Sequence, residues 1–175
     1  MDQTEIAIYL SKDKKTFKGC ARLMAGSEPW KTLKREFEEC LTAFFGIHKE
    51  VYVVTEKNTI VGFAILQMAG TFKGYIQSIL VIEGYRGRGI GTELLKFCEN
   101  RILQVSPNIF MCVSSFNTDA ARLYKRLGYE TVGELRNFII DGHSEILLRK
   151  TTGSINNHHI SSLRLLRFSV EVKSR

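Results

Sequence analysis

One stretch constrains this chain more than any other: Ser78-Ile79-Leu80-Val81-Ile82-Glu83-Gly84-Tyr85-Arg86-Gly87-Arg88-Gly89-Ile90-Gly91-Thr92. It runs from a strand-like apolar segment, through a loop of glycine and arginine, into Ile90, Leu94, Leu95, Cys98 and Ile102, spaced as the inner face of a helix. The first amides of such a helix lack intrahelical acceptors, and the helix dipole adds partial positive charge there. Glycines at 87, 89 and 91 let the backbone approach a ligand without Cβ obstruction. Arg86 and Arg88 supply charge-assisted donors at the rim. The loop therefore reads as a phosphate or pyrophosphate site. It lacks the G-x-x-x-x-G-K-[ST] pattern, and its glycines fall at every second position rather than as G-x-G-x-x-G.

The rest of the chain alternates between the two periodicities. Residues 4–10 alternate as a strand, and Phe17, Cys20, Ala21 and Met24 mark a helix from Asp13. After Gly26, Ser27 and Pro29, a second helix is expected to carry Leu33, Phe37, Cys40, Leu41 and Phe44 on one face. Residues 51–56 and 59–69 flank a Lys57-Asn58 turn and must pair antiparallel, and 75–82 continues the meander. Beyond the glycine-rich loop and its helix, a strand at 109–115 precedes a short helix from Thr118 to Leu127 that stops at Gly128. Strands around the Asp141-Gly142 turn close the sheet. This order predicts an α/β (α+β) chain: a mixed central sheet of about 6–7 strands with helices on both faces.

Charge and cysteine usage narrow the function class. The net charge is +7, of which residues 151–175 hold +3 through Arg164, Arg167, Lys173 and Arg175 against Glu171. The remaining +4 is spread over 1–150 without a basic–aromatic block, so a nucleic-acid partner is not expected. No apolar run reaches the ~20 residues of a membrane span, and residues 1–5 lack a signal-peptide pattern. Cys20, Cys40, Cys98 and Cys112 show neither zinc nor redox spacing, which suits reduced thiols in the cytoplasm; no metal is expected. Residues 1–150 read as one domain and 151–175 as a basic C-terminal tail, with Leu163–Val172 apolar enough for a strand or helix.

A second motif lies downstream: Asn117-Thr118-Asp119-Ala120-Ala121-Arg122-Leu123-Tyr124-Lys125-Arg126-Leu127-Gly128-Tyr129. Ala120, Leu123, Tyr124 and Leu127 share a helix face, Asn117 or Thr118 suits the N-cap, and Asp119 suits the first turn. By itself this describes a packed helix with a half-buried tyrosine.

Together, Arg86–Gly91 and Asn117–Tyr129 resemble the two signatures of the GNAT acyltransferases, the first as [QR]-x-x-G-x-[GA] and the second as N-x-x-A-x-x-L-Y-x-x-x-G-[FY]. The resemblance covers about residues 4–150. It implies a GNAT fold with a splayed strand pair that takes CoA, and acetyl-CoA as cosubstrate. It also implies a cofactor set of Ile79, Leu80, Val81, Arg86, Gly87, Arg88, Gly89, Ile90, Gly91, Thr92, Asn117 and Tyr124. In that family the tyrosine, here Tyr124, protonates the leaving thiolate, and the amide matching Val81 polarises the thioester carbonyl. Dimers are a frequent assembly in the family.

The chain further resembles bacterial ribosomal-protein-alanine N-acetyltransferases in Pro29-Trp30 and Arg136-Asn137-Phe138. Where those enzymes carry a basic glutamate, this chain has Cys112; Glu83, Glu36, Glu38 and Glu39 are the other carboxylates expected near the cleft. The expected function is acetyl transfer from acetyl-CoA to a primary amine by direct attack, since no cysteine or serine has an activating partner. A protein N-terminus is the favoured acceptor. Three other readings stand beside it: a polyamine or antibiotic acetyltransferase, a CoA-binding protein with little catalysis, and a basic binding module acting through the tail.

Overall fold

The computed structural model describes residues 6–158. Its elements are β1 (Ile6–Ser11), α1 (Lys14–Ala25), α2 (Phe37–Thr42), β2 (Lys49–Glu56), β3 (Thr59–Gln67), β4 (Tyr75–Val81), α3 (Ile90–Leu103), β5 (Asn108–Ser114), α4 (Thr118–Arg126), β6 (Glu130–Arg136) and β7 (Ser144–Thr151). A single 3-10 turn, Glu83–Tyr85, precedes α3. The seven strands form one sheet in the order β1-β2-β3-β4-β5-β7-β6. Only the β4–β5 pair is parallel. The mixed α/β sheet with helices on both faces is the architecture expected. Thr4 and Glu5 of the first strand, and the segment Leu163–Val172, lie outside the described residues.

Side-chain alternation divides the core into two layers. Val51, Val53, Phe63 and Ile65 meet Phe17, Cys20, Ala21 and Met24 of α1 and Cys40 of α2 on one face. Their neighbours Tyr52, Val54, Ala64 and Leu66 meet Ile90, Leu94, Leu95, Cys98 and Ile102 of α3 on the other. Period 2 in the strands and period 3.6 in the helices thus bury complementary faces. Asp13 starts α1 by accepting from Lys15 N at 3.3 Å and Thr16 N at 2.8 Å. Arg101 of α3 makes a bidentate pair with Glu50 of β2 at 2.9 and 2.6 Å, and fixes the far end of α3 against the sheet.

α2 is shorter than its apolar spacing predicts. Lys34 has φ +54°, which a continuing helix does not allow, and Glu39 accepts from the Glu36 amide at 3.0 Å to open a new helix at Phe37. Leu33 and Phe44 are buried all the same, so the apolar pattern reported burial there and not helicity.

Two local features part β4 from β5. The strands pair only at Tyr75↔Phe110 and Ile76↔Met111. On the other edge of β4, Ile65 faces Ser78 and Leu66 faces Ile76, which leaves Gln77 without a partner. Such a bulge bends and twists its strand, and here it directs β4 away from β5 after the second pair. Gly74 starts the strand at φ +88°, where an added Cβ would lie 2.5 Å from Ile102 Cγ2 and 2.7 Å from the Asn108 carbonyl oxygen. Gly74→Ala is expected to cost about 2–4 kcal/mol through backbone strain and overpacking together, read as a lowered thermal midpoint.

Candidate active site

The gap between β4 and β5 is a cavity of about 120 Å³. Ile79 and Ser78 line one wall, Cys112 and Ser114 another, and Tyr124 and Asn117 at α4 a third. Trp30 and Leu33 from the α1–α2 connection and Phe138 from the β6–β7 loop complete it. The α1–α2 connection and the β6–β7 loop thereby share one cavity with Tyr124.

At the α3 end the backbone is open. Gly87 and Gly89 have φ +75° and +82°, and a Cβ added at either would meet no atom within 4 Å. Gly89 is the N-cap of α3 and offers no side-chain cap, so the first-turn amides have no side-chain acceptor from it. Ile90 is itself buried in the core, which leaves its backbone as the part available to a ligand. Gly91 stands near Val81, with an added Cβ 3.7 Å from Val81 Cγ2. Thr92 lies in the first turn.

The two arginines are engaged within the protein. Arg86 Nε donates to the Val81 carbonyl at 3.0 Å. Arg88 pairs with Glu56 at 2.5 Å and lies 5.0 Å from the Tyr85 ring centroid. Just past β4 the Ile82 amide donates to the Val61 carbonyl. Strand alternation therefore turns the Val81 amide to the opposite edge, which faces the gap. Leu80 differs from its neighbours: its side chain is in the α1-face core and its carbonyl oxygen would lie 2.6 Å from a Cβ at Gly62, so it belongs to the β3 side.

Tyr124 packs edge-on to Tyr129 with centroids 5.9 Å apart. Burial pushes its hydroxyl up to about 12, so it holds its proton at neutral pH and can donate it. The Asn117 side chain accepts from Ala120 N at 3.4 Å and so caps α4 while lining the cavity. Tyr75 and Cys112 are both raised above their ordinary values, chiefly by burial, and both lie at the junction with a second recess. That recess, about 330 Å³, is walled by Phe72, Tyr75, Leu135, Phe138 and Leu147 and is almost wholly apolar.

The carboxylate that reaches the cavity is not one of those expected. Glu39 is occupied at the start of α2, accepting from the Glu36 amide and pairing with Arg35, and Glu83 opens the 3-10 turn. None of the four expected glutamates lines the cavity; Glu145 of β7 does. It is 5% exposed, faces Ser114 across the β5–β7 ladder and accepts from Ser114 Oγ at 2.5 Å. The sequence signal for it is a glutamate inside Glu145-Ile146-Leu147-Leu148, at an inward position of a strand.

Residues 17–129 match the model of the acetyltransferase (GNAT) family. An N-alpha-acetyltransferase of Sulfurisphaera tokodaii is 36% identical over 91 residues, 50% of this chain and 54% of that protein. The N-alpha-acetyltransferase RimI of Mycobacterium tuberculosis is 27% identical over 143 residues, 76% of this chain and 82% of that protein. The match thus spans about half the length of the Sulfurisphaera relative. The ribosomal-protein-S18-alanine N-acetyltransferase from Escherichia coli shares the fold, with a TM-score of 0.67 at 17% identity over 87% of this chain and 98% of that one. Among the described residues no helix is long and apolar enough to cross a membrane.

Burial raises the Glu145 carboxyl above its ordinary value, opposed by the Ser114 hydrogen bond. Its folded-state value therefore lies above the unfolded one of about 4.3, and stability falls as pH rises through the folded value. Glu145→Gln removes that loss. The variant is expected to melt above wild type at pH 8 and level with it at pH 4, by differential scanning calorimetry.

Proposed function

The chain belongs to the GNAT family of acetyltransferases, and on that premise we propose that it moves the acetyl group of acetyl-CoA to the primary amine of a peptide N-terminus. The observation that carries this reading is the parted β4–β5 pair, which leads from an uncapped helix N-terminus to a half-buried tyrosine. The pyrophosphate of acetyl-CoA, a substrate consumed in the reaction, suits the amides of Ile90, Gly91 and Thr92 and the open backbone of Gly87 and Gly89. Arg86 and Arg88 stand at the rim and exchange their present partners for phosphate oxygens. Ile79 and Val81 present the gap-facing edge to the pantetheine arm, and the Val81 amide polarises the thioester carbonyl. Tyr124 gives its proton to the departing thiolate, and Asn117 keeps α4 in place beside it.

The apolar recess favours a peptide over a polyamine. It is continuous with the cavity through Tyr75, Cys112 and Phe138 and suits the side chain of an apolar first residue. Among the residues of the two recesses Glu145 is the one acidic group, so a polycation would find a single counter-charge. The relatives named N-alpha-acetyltransferase support the same class of acceptor. Cytoplasmic residence accords with this reading, and residues 1–150 form its catalytic unit, β7 reaching Thr151.

Calorimetric titration with acetyl-CoA is expected to show binding by wild type that is lost in the Gly89→Trp/Gly91→Trp double variant, whose indoles obstruct the phosphate approach. Absence of binding by folded wild type at millimolar ligand would sink the reading. In an acetylation assay, heptapeptides beginning with Met or Leu should exceed those beginning with Asp or Gly, and spermidine should be poorer still; the reverse order would favour a small-amine enzyme. Tyr124→Phe should lower kcat about 10²-fold or more, with acetyl-CoA affinity retained.

A further inference from the structure

We propose that Glu145 is the proton acceptor for the amine, with Ser114 as the residue that positions its carboxylate; this assignment rests on the acetyl-transfer reading above. The geometry supplies the argument. β5 and β7 run antiparallel with Ser114 opposite Glu145, so both side chains leave the sheet on one face, into the cavity that Tyr124 also lines. Ser114 Oγ donates to one carboxylate oxygen at 2.5 Å, and the second oxygen makes no hydrogen bond within the described residues. That second oxygen is the one available to an amine.

A buried carboxylate usually has a cation beside it. None of the ion pairs among the described residues involves Glu145. Sharing its ladder or its cavity are Ser114 and Cys112 on β5, Tyr75 on β4, Leu135 on β6 and Tyr124 on α4. His143, two residues away, packs against Phe116, and Arg136 is paired with Glu134. An ammonium group arriving in the cavity would thus be the missing counter-ion. The alternative acceptors are poorer. Tyr75 and Cys112 are both raised by burial, so each holds its proton at neutral pH. Cys112 is the residue at which the resemblance anticipates a carboxylate; Glu145, on the neighbouring strand, brings one to the same cavity.

The steps balance as follows. The ammonium gives one proton to Glu145, and the neutral amine attacks the thioester carbonyl carbon to form the C–N bond. The C–S bond breaks, the thiolate takes the Tyr124 proton, and the resulting phenolate recovers a proton from the new amide nitrogen through water. Glu145 releases its proton to solvent. The products are the N-acetyl peptide, CoA thiol and one proton.

The test measures kcat against pH for wild type, Glu145→Gln, Glu145→Asp and Ser114→Ala, with acetyl-CoA and a Met-initiated heptapeptide. Wild type should show one ionisation on the acid limb. Glu145→Gln should lose that limb and about 10²-fold in kcat, with acetyl-CoA affinity and fold retained. Glu145→Asp should recover part of the rate. Ser114→Ala should move the limb to higher pH, because the hydrogen bond that favours the carboxylate is gone. An unaltered limb and kcat in Glu145→Gln, in an enzyme whose wild type acetylates the peptide, overturns the assignment alone. A wild type that binds acetyl-CoA but acetylates neither peptides nor spermidine overturns the transfer reading, and the assignment falls with it.

Discussion

A strand edge left open in the middle of a sheet is costly, because its amides and carbonyls must find other partners. This fold accepts that condition between β4 and β5, and the site follows from it. The two strands share two residue pairs and then diverge at the unpartnered Gln77. The sheet is therefore two sub-sheets, β1–β4 and β5-β7-β6, held together by a short seam and by α3. Ile90, Leu94 and Ile102 belong to a core layer that includes Ala64 and Leu66 of β3 as well as Met111 and Leu148 of β5 and β7. Close packing under the gap replaces hydrogen bonding across it.

The charge arrangement follows the same division. The N-terminus of α3 and the two arginines put positive potential at one end, and Glu145 puts a carboxylate in the cavity on the acceptor side. The positive end and the carboxylate thus lie on different sides of Tyr124, as the proposed anionic donor and cationic acceptor require. Burial acts on both titratable groups in the direction that suits their proposed tasks: it keeps the tyrosine protonated and makes the glutamate a stronger base.

Much of this was legible in the residues themselves, because the signals were local. The run from Ser78 to Ile102 specifies strand, loop and helix by neighbouring residues alone, and Asn117 caps the start of α4 while Gly128 follows its C-cap, Leu127. Leu33 to Phe44 was legible as buried but not as broken, since the interruption depends on the backbone angle at Lys34 and on Glu39 reaching back to Glu36. Glu145 was illegible as a site residue for a different reason. Its meaning arises from pairing with Ser114, thirty-one positions earlier, and periodicity carries no information about which strands become neighbours. The engagement of Arg88 by Glu56 was hidden likewise, since the two are thirty-two positions apart.

The placement of β7 between β5 and β6 bears on how the chain assembles. Until residues 144–151 have been synthesised, β6 has no partner strand and β5 has only its two-pair seam with β4. The N-terminal meander and α3 can collapse early, since β1 to β4 are sequential neighbours. The wall that carries Glu145 is the last part of the sheet to close. A chain emerging from the ribosome would form the glycine-rich loop and α3 before the wall that carries Glu145, so the proposed site would be complete only in the final stage of folding.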